Sequence, residues 1–176
     1  MFHPMIHFVL GALDVVRYDF SFDSVFHFLR CGLCDLTMEQ IDFLENYVKS
    51  LGIRGKKNYV EPFVRRPLNI EDEECVQVLA TLNEIREQVI KSLQPLFGLK
   101  KETKGMVFID GLYEFCVTNC LQEKMEQFGD LFEVENQLAR AKEYRQVYRV
   151  VMDLFHQMYE LLGHQEMDLK EFVEIL

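Results

Sequence analysis

The spacing of apolar residues restricts the fold of this chain more than any other feature. In nearly every long segment the apolar side chains recur every three or four residues, as they do along one face of an α-helix. No segment alternates apolar and polar residues for the length of a convincing strand. We therefore predict an all-α fold: an elongated bundle of about six to seven helices with one long basic loop, forming a single domain over residues 1–176.

Helix boundaries follow from the same pattern and from the turn residues between its stripes. The third helix has the clearest signals, because Thr37 and Gln40 have the spacing of a capping box and Gly52 provides a left-handed stop. Asp168 is in position to cap the last helix. The predicted helices cover Pro4 to Val16, Ser21 to Cys31, Thr37 to Leu51, Ile70 to Leu96, Lys104 to Gln127, Asp130 to Leu162 and Asp168 to Leu176, with Gly129 separating the fifth from the sixth.

Charge is distributed unevenly along the sequence. The formal net charge is −10, yet residues 49–66 hold six basic residues against the single acid Glu61, which leaves −15 for the remainder. The helical period is lost over residues 52–68, where Pro62 and Pro67 forbid a continuous helix. This loop fits a docking point for phosphate or for an acidic partner, and a solvated surface loop is the alternative interpretation. The candidate contacts to DNA phosphates are Arg54, Lys56, Lys57, Arg65 and Arg66.

No catalytic residue and no metal ligand is predicted. Cys31 and Cys34 have a C-x-x-C spacing, but the obvious cysteines to complete a zinc site, Cys116 and Cys120, fall on the apolar face of a predicted helix. The C-x-x-C is better interpreted as the turn between the second and third helices. The sequence also lacks the G-x-x-x-x-G-K-[ST] loop that cradles nucleotide phosphates.

Two further pairs of side chains are weak candidates for a metal site. His3 and His7 share a helix face without an acidic third ligand. Asp110 and Glu114 share another face without the further acids and the lysine of a metal-dependent nuclease. Satisfied histidines and a solvated acidic face are the preferred interpretations.

Cysteine content and the N-terminal sequence bear on location. Five cysteines without a signal peptide indicate reduced thiols in a cytoplasmic protein. The apolar run near the N-terminus is about half the length of a membrane span, so we predict no contact with a membrane.

One stretch supports a more specific assignment. The sequence FSFDSVFHFLRCGLCDLTMEQIDFLENYVKSLGIRGKKNY, from Phe20 to Tyr59, resembles the AddB family, the B subunits of bacterial ATP-dependent helicase/deoxyribonucleases. The similarity lies in its Leu-Arg-x-Gly-Leu turn, its Leu-Glu-Asn-Tyr helix and its Gly-Ile-x-Gly exit. The segments HPMIHFVLGAL, LNEIRE and DLKEFVEIL are also similar to that family. The resemblance extends over most of the chain and is most specific around residues 20–55.

The resemblance implies a place within a longer protein. It implies an internal fragment, the helical accessory region usually called 2B, of one subunit of a two-subunit ATP-dependent helicase and exonuclease that processes double-strand breaks for recombination. It further implies a partner helicase-nuclease subunit. The family's nuclease site with its Mg²⁺ and its iron–sulfur cysteines lie outside this region, so no catalytic residue and no cofactor is carried over. The sequence departs from the family at Asn58 and Tyr59, where an aromatic residue, often Trp, is common, and at Cys31 and Cys34, which replace small polar residues.

Two functional hypotheses follow. In the first, a non-catalytic accessory domain positions DNA or the partner subunit, with weak contacts from its basic loop to the DNA backbone. In the second, the chain is a structural protein–protein interaction module with no direct DNA contact. The second hypothesis predicts unshielded apolar surface, for example around Phe172 and Leu176.

Overall fold

Helices form nearly all of the regular structure in the computed structural model, which describes residues 3–68, 71–101 and 104–176. Within those ranges there are nine α-helices, two 3₁₀ turns at Gln94–Leu96 and Leu99–Lys101, and no β-strand. The all-α prediction is confirmed, although the described residues form nine helices where about six to seven were predicted. The helices are α1 (Pro4–Arg17), α2 (Phe22–Leu29), α3 (Met38–Leu51), α4 (Lys56–Val60), α5 (Asp72–Leu93), α6 (Gly105–Thr118), α7 (Leu121–Val134), α8 (Leu138–Leu162) and α9 (Leu169–Ile175).

The first two helices meet at a buried aromatic contact. The rings of Phe8 in α1 and Phe28 in α2 stack with 4.6 Å between centroids. The chain turns between these helices through Asp19 and Phe20, whose φ angles are 50° and 55°. A left-handed conformation costs a residue with a side chain about 1–2 kcal/mol, and burial of a phenylalanine ring contributes about 1.5–3 kcal/mol. Because the Phe20 ring is fully buried, its burial offsets the strain of the turn.

The start and stop signals of α3 act as the sequence predicts. The Gln40 backbone N–H donates to Thr37 Oγ1 at 3.2 Å, and the Thr37 N–H donates to Gln40 Oε1 at 2.9 Å. Gly52 follows the helix with φ 62°, in the left-handed region. The preceding helix, α2, ends at Leu29, two residues before the predicted end at Cys31.

The long basic loop contains a helix that the sequence analysis missed. Helix α4 is only five residues long, Lys56–Val60, and is too short to show an apolar period. An isolated helix of this length is unstable in water, so tertiary contacts must stabilise it. The predicted start of the next helix at Ile70 lies outside the described residues, and α5 is described from Asp72.

The predicted break at Gly129 is wrong. Gly129 lies inside α7, and the chain breaks instead near Cys120 and Asn136, which have φ angles of 50° and 59°. The fifth predicted helix is therefore two helices, α6 and α7, and the sixth begins at Leu138 as α8. These breaks lack Gly and Pro, which are the usual stop signals.

Gly129 has a packing role in place of a turn role. A Cβ built at this position would lie 2.7 Å from Arg145 Cγ and 3.3 Å from the Ala141 carbonyl oxygen of α8. The Arg145 guanidinium is held in place by Asp130 at 2.7 Å and by Glu133. The missing side chain thus permits the close approach of α7 and α8.

The C-terminal helix is packed more completely than the second hypothesis expected. The Asp168 and Glu171 side chains each accept from the other's backbone N–H, at 2.8 and 2.9 Å, which forms a second capping box. The Phe172 ring is fully buried and stacks on Phe108 of α6 with centroids 4.9 Å apart. The expectation of unshielded surface at Phe172 is therefore wrong, because α6 covers it.

Substitution Gly129→Ala tests the close approach of α7 and α8. Alanine favours a helix interior over glycine by about 1 kcal/mol, but overpacking typically costs about 1–3 kcal/mol. Since Arg145 is anchored by two carboxylates, we expect net destabilisation, measured as a lower thermal midpoint. Gly98→Ala is the control, because a Cβ at Gly98 meets no atom within 4 Å. A Gly129→Ala protein at least as stable as the unsubstituted chain would contradict this packing role.

Candidate nucleic-acid interface

Arg86 of α5 holds the basic loop, residues 52–68, against the helical core. This residue is 4% exposed, and its guanidinium donates to the carbonyl oxygens of Tyr59 at 3.0 Å and Val60 at 3.1 Å. Those carbonyls end α4, where a helix leaves its last carbonyl groups without partners of its own. Arg86 also donates to Asn83 Oδ1 at 2.9 Å, which fixes the two side chains relative to each other.

Asn83 binds the loop at a second point. Its Oδ1 accepts from the Phe63 N–H at 2.8 Å, and its Nδ2 donates to the Phe63 carbonyl oxygen at 3.0 Å. On the other side, the Tyr47 hydroxyl of α3 donates to the Arg65 carbonyl oxygen at 2.8 Å, and the Arg65 guanidinium donates to the Leu51 carbonyl oxygen at 3.0 Å. Helices α3 and α5 therefore fix the shape of the loop.

Four of the five predicted DNA contacts have exposed side chains: Arg54, Lys57, Arg65 and Arg66. Lys57 Nζ lies 3.9 Å from Glu61 Oε1, and both side chains are largely exposed, so solvent screens this pair. A guanidinium carries five N–H donors, so the bond from Arg65 to Leu51 leaves others for a phosphate. The structure gathers these charges on one anchored loop.

Lys56, the fifth predicted contact, is half-buried. Its Nζ donates to the Phe97 carbonyl oxygen at 3.2 Å and lies 4.0 Å from the centroid of the Phe97 ring. Partial burial lowers the pKa of Lys56, and the nearby charge of Lys101 lowers this pKa further, while Asp19 raises it. Lys56 thus anchors α4 to the 3₁₀ turns.

Two features of this surface were missed in the sequence. The exposed Lys100 and Lys101 lie in the second 3₁₀ turn, and Lys101 is close enough to lower the pKa of Lys56. In the sequence, the three lysines of the run LKKETK indicate this basic surface. Arg86 was also missed, although it stands among Leu82, Ile85 and Val89 on the apolar stripe of α5, where a cation indicates a buried charge.

Tyr59 is buried and does not form part of the exposed interface. Its ring is fully buried and packs near Phe20, at 5.4 Å between centroids, and Phe63, at 6.2 Å. Burial raises the pKa of the Tyr59 hydroxyl well above its usual value. A stacking contact with a DNA base would require this ring to leave the core.

The two cysteines of the C-x-x-C lie in the turn after α2, where the sequence placed them. The Cys31 thiol donates to the His27 carbonyl oxygen at 3.4 Å, and the Cys34 thiol donates to the Leu29 carbonyl oxygen at 3.0 Å. Burial raises the pKa of both thiols. Lys124 of α7 clamps the same turn by donating to the Leu33 carbonyl oxygen at 2.8 Å.

The other candidates for metal binding are spread over the fold. Burial raises the pKa of Cys116 to about 12, whereas Cys120 is exposed at the break between α6 and α7. Asp110 and Glu114 are both exposed on α6. Within residues 3–68, 71–101 and 104–176, no group of three or more His, Cys, Asp and Glu side chains is arranged to hold a metal ion.

His3 has a structural role at the start of α1. Its Nδ1 accepts from the Met5 backbone N–H at 3.1 Å, and its ring meets the Tyr144 ring of α8 edge-on at 4.3 Å. Burial lowers the pKa of His3, while the charge of Glu143 raises it. His7 lies on the same helix and also has interactions of its own.

None of the helices in the described part of the chain is both long and apolar enough to span a membrane.

The comparisons with known proteins identify a class of DNA-processing subunits. A curated relative from Lachnoclostridium phytofermentans is 38% identical over 99% of this chain, and relatives from Clostridium botulinum (strain Langeland) and Acetivibrio thermocellus are each 34% identical over 99% of it. All three are named as the B subunit of an ATP-dependent helicase/deoxyribonuclease. No protein-family model matches the chain.

The resemblance drawn from the sequence is thereby confirmed: over 99% of its length the chain is similar to proteins named as ATP-dependent helicase/deoxyribonuclease B subunits. The chain spans only 15–16% of the length of these relatives.

Substitution Arg86→Met tests the anchor of the basic loop. The change leaves the Tyr59 and Val60 carbonyls without their charged donor, and we expect a loss of about 2–4 kcal/mol in the free energy of unfolding, measured in urea. Trypsin should also cleave faster after Lys57 and Arg65. Arg149→Met, on the exposed side of α8, is the matched control and should change stability by less than about 0.5 kcal/mol. Equal stability of the two variants would exclude the anchoring role.

His3 should make stability depend on pH. Its pKa in the folded chain lies below the ordinary value of about 6.5, so the unfolded chain binds more protons near and below that pH. The stabilisation that comes from burying the neutral His3 ring is fully present above about pH 6.5, and it is lost as the pH falls through the folded pKa. His3→Asn, which retains a capping side chain, should flatten the loss of stability between about pH 7 and 5.5. The exposed His164→Asn variant should retain it, and identical pH profiles for both variants would argue against burial of His3.

Proposed function

We propose that this chain is a non-catalytic helical accessory domain of an ATP-dependent helicase and exonuclease subunit that acts in double-strand break repair and recombination in the cytoplasm. In this proposal the exposed side of the basic loop contacts DNA phosphates and helps to position DNA against the partner helicase-nuclease subunit. The Mg²⁺ and the iron–sulfur cluster implied by the resemblance belong to other parts of the parent subunit.

The observation that carries the proposal is the anchored shape of the basic loop. Four exposed cationic residues, Arg54, Lys57, Arg65 and Arg66, lie on a segment that Arg86 and Asn83 fix to the core. A fixed backbone reduces the conformational entropy that a free loop would lose on binding. The names of the relatives add that DNA is what such subunits act on.

The charge of the remaining surface predicts weak binding. Outside residues 49–66 the chain carries a formal charge of −15, which repels phosphates at low salt. Contacts from four side chains to the DNA backbone carry no sequence information by themselves. The loop therefore suits a positioning role alongside stronger contacts elsewhere in the parent subunit.

Charge reversal tests the DNA contact. We expect that changing Arg54, Lys57, Arg65 and Arg66 to Glu in the intact protein lowers DNA affinity and reduces the salt slope on duplex DNA by up to about 3.6, since each neutralised phosphate contributes about 0.9. Lys56 is left unchanged because it is half-buried and bonds to the Phe97 carbonyl, whereas the four changed residues are exposed.

The control for charge reversal changes the net charge equally at exposed sites outside the loop: Lys91, Lys142, Arg149 and Lys170 to Glu. Unchanged affinity and unchanged salt slope in the loop variant, or equal losses in both variants, would reject the DNA contact.

A second candidate function is favoured by the apolar surface of α7 and α8. Val150, Leu154 and Leu161 lie within one stripe of α8 and are exposed, at 59%, 43% and 73%. Leu131, Val134 and Leu138 are exposed around the turn between the two helices. Apolar surface of this kind marks protein contacts, as expected of a structural interaction module without DNA contact.

Substitution of the stripe distinguishes this candidate. Leu154→Lys with Leu161→Lys should reduce concentration-dependent association in sedimentation velocity, because apolar contact area is lost. Leu68→Lys, at an exposed leucine of the basic loop, is the control. Loss of association together with no measurable DNA binding by the unsubstituted protein would favour the interaction module. Association that persists after both substitutions would exclude the stripe as the docking face.

A further inference from the structure

A small pocket opens within the basic loop. It has a volume of about 170 Å³ and lies between the end of α3 and the loop segment that follows α4. Its apolar lining includes Ile53, Phe63 and Val64, and its polar lining includes Asn58, Glu61 and Arg65. Of the four residues that the proposed function assigns to DNA, Arg65 lines the pocket, and Arg54 and Lys57 are next in sequence to the lining residues Ile53 and Asn58.

The floor of this pocket is fixed before any ligand binds. Ile53 and Phe63 are buried, and Asn83 holds both the N–H and the carbonyl of Phe63. The Phe63 ring packs on the Tyr47 ring with 5.0 Å between centroids, and Tyr47 in turn bonds to the Arg65 backbone. Val64, in contrast, is 80% exposed and has no apolar cover. The pocket thus combines a rigid floor with an exposed apolar side chain at its rim.

We propose that this pocket holds one unpaired base of single-stranded DNA, an inference that rests on the proposed DNA contact of the loop. Drug-sized ligands need about 300–1,000 Å³, whereas this pocket suits a single planar ring system. Val64 and the floor supply apolar contact to the face of a base. The Arg65 guanidinium and the neighbouring Arg54 and Lys57 supply the cations that follow a phosphate backbone.

The Glu61 carboxylate determines which part of a nucleotide enters the pocket. Its carboxylate repels phosphate, so the pocket favours the neutral base over the backbone. A carboxylate accepts hydrogen bonds from the exocyclic amine of cytosine, and adenine also presents such an amine. Thymine presents no amine. The pocket should therefore prefer cytosine or adenine to thymine, and single strands to duplex, in which paired bases cannot enter.

The test compares oligonucleotides that keep or lack their bases. In the intact protein, we expect a single-stranded cytosine oligonucleotide to bind about fivefold or more tightly than an abasic strand of equal length and charge, since about 40 Å² of apolar surface buried against the base suffices for this factor. Val64→Ser should remove at least half of this advantage. Val76→Ser is the matched control, because Val76 is equally exposed, at 78%, and lies outside the pocket lining.

A second pair of variants tests the role of the carboxylate. Glu61→Gln should reduce the preference for cytosine over thymine strands, while Glu84→Gln at another exposed glutamate should keep it. Because the preference is the ratio of one variant's affinities for two strands of equal charge, the effect of the changed net charge cancels.

Equal binding of cytosine and abasic strands, or equal behaviour of the Val64 and Val76 variants, would overturn the base pocket. If charge reversal in the loop still abolishes binding to all strands, the phosphate contact would stand without the pocket. If charge reversal changes nothing, the proposed function itself fails.

Discussion

The guanidinium of Arg86 lies inside the fold with mostly uncharged partners. It donates to the Tyr59 and Val60 carbonyls and to Asn83, and its carboxylate contact Glu87, at 3.2 Å, is 71% exposed and screened by water. Burying a cation is costly unless its donors are satisfied. Here they satisfy carbonyl groups that would otherwise be orphaned at the end of a five-residue helix. Arg86 and α4 are therefore mutually dependent, and the shape of the basic loop depends on both.

Other cations use the same principle on a smaller scale. Lys124 donates to the Leu33 carbonyl at 2.8 Å in the turn after α2, and Lys56 donates to the Phe97 carbonyl at 3.2 Å beyond α5. In each case a lysine from one element satisfies the backbone of another. Counting charges in a sequence thus overstates the cationic surface, since some of the lysines and arginines are bonded to the backbone. In the basic loop this applies to Lys56, which is half-buried, and in part to Arg65, which bonds to the Leu51 carbonyl but is exposed to solvent.

Sequence signals between near neighbours predicted the helix caps correctly, whereas some helix breaks and the anchoring of the basic loop depend on tertiary contacts that the sequence does not show. The Thr37–Gln40 capping box, the Gly52 stop and the Asp168 cap involve neighbours in the chain, and all three form. Gly129 was misread because glycine serves equally as a helix stop and as a point of close approach, and only the position of α8 distinguishes the two. The breaks at Cys120 and Asn136 use residues without a glycine or proline signal. Of the candidate interface, the sequence located the charges but could not show that α5 fixes the loop or that Tyr59 is buried.

The separation of charge between loop and body shapes how a nucleic acid can approach. Residues 49–66 carry +5 and the remainder −15, so a polyanion is attracted to one surface and repelled by the others. At physiological salt the Debye length is about 8 Å, so a phosphate in contact with Arg54 or Arg65 interacts mainly with the loop and little with distant acids. At low salt the screening length grows, and the acidic body opposes the loop more strongly. Lower salt should therefore strengthen DNA binding less than it would for a uniformly basic surface, because the attraction and the repulsion increase together.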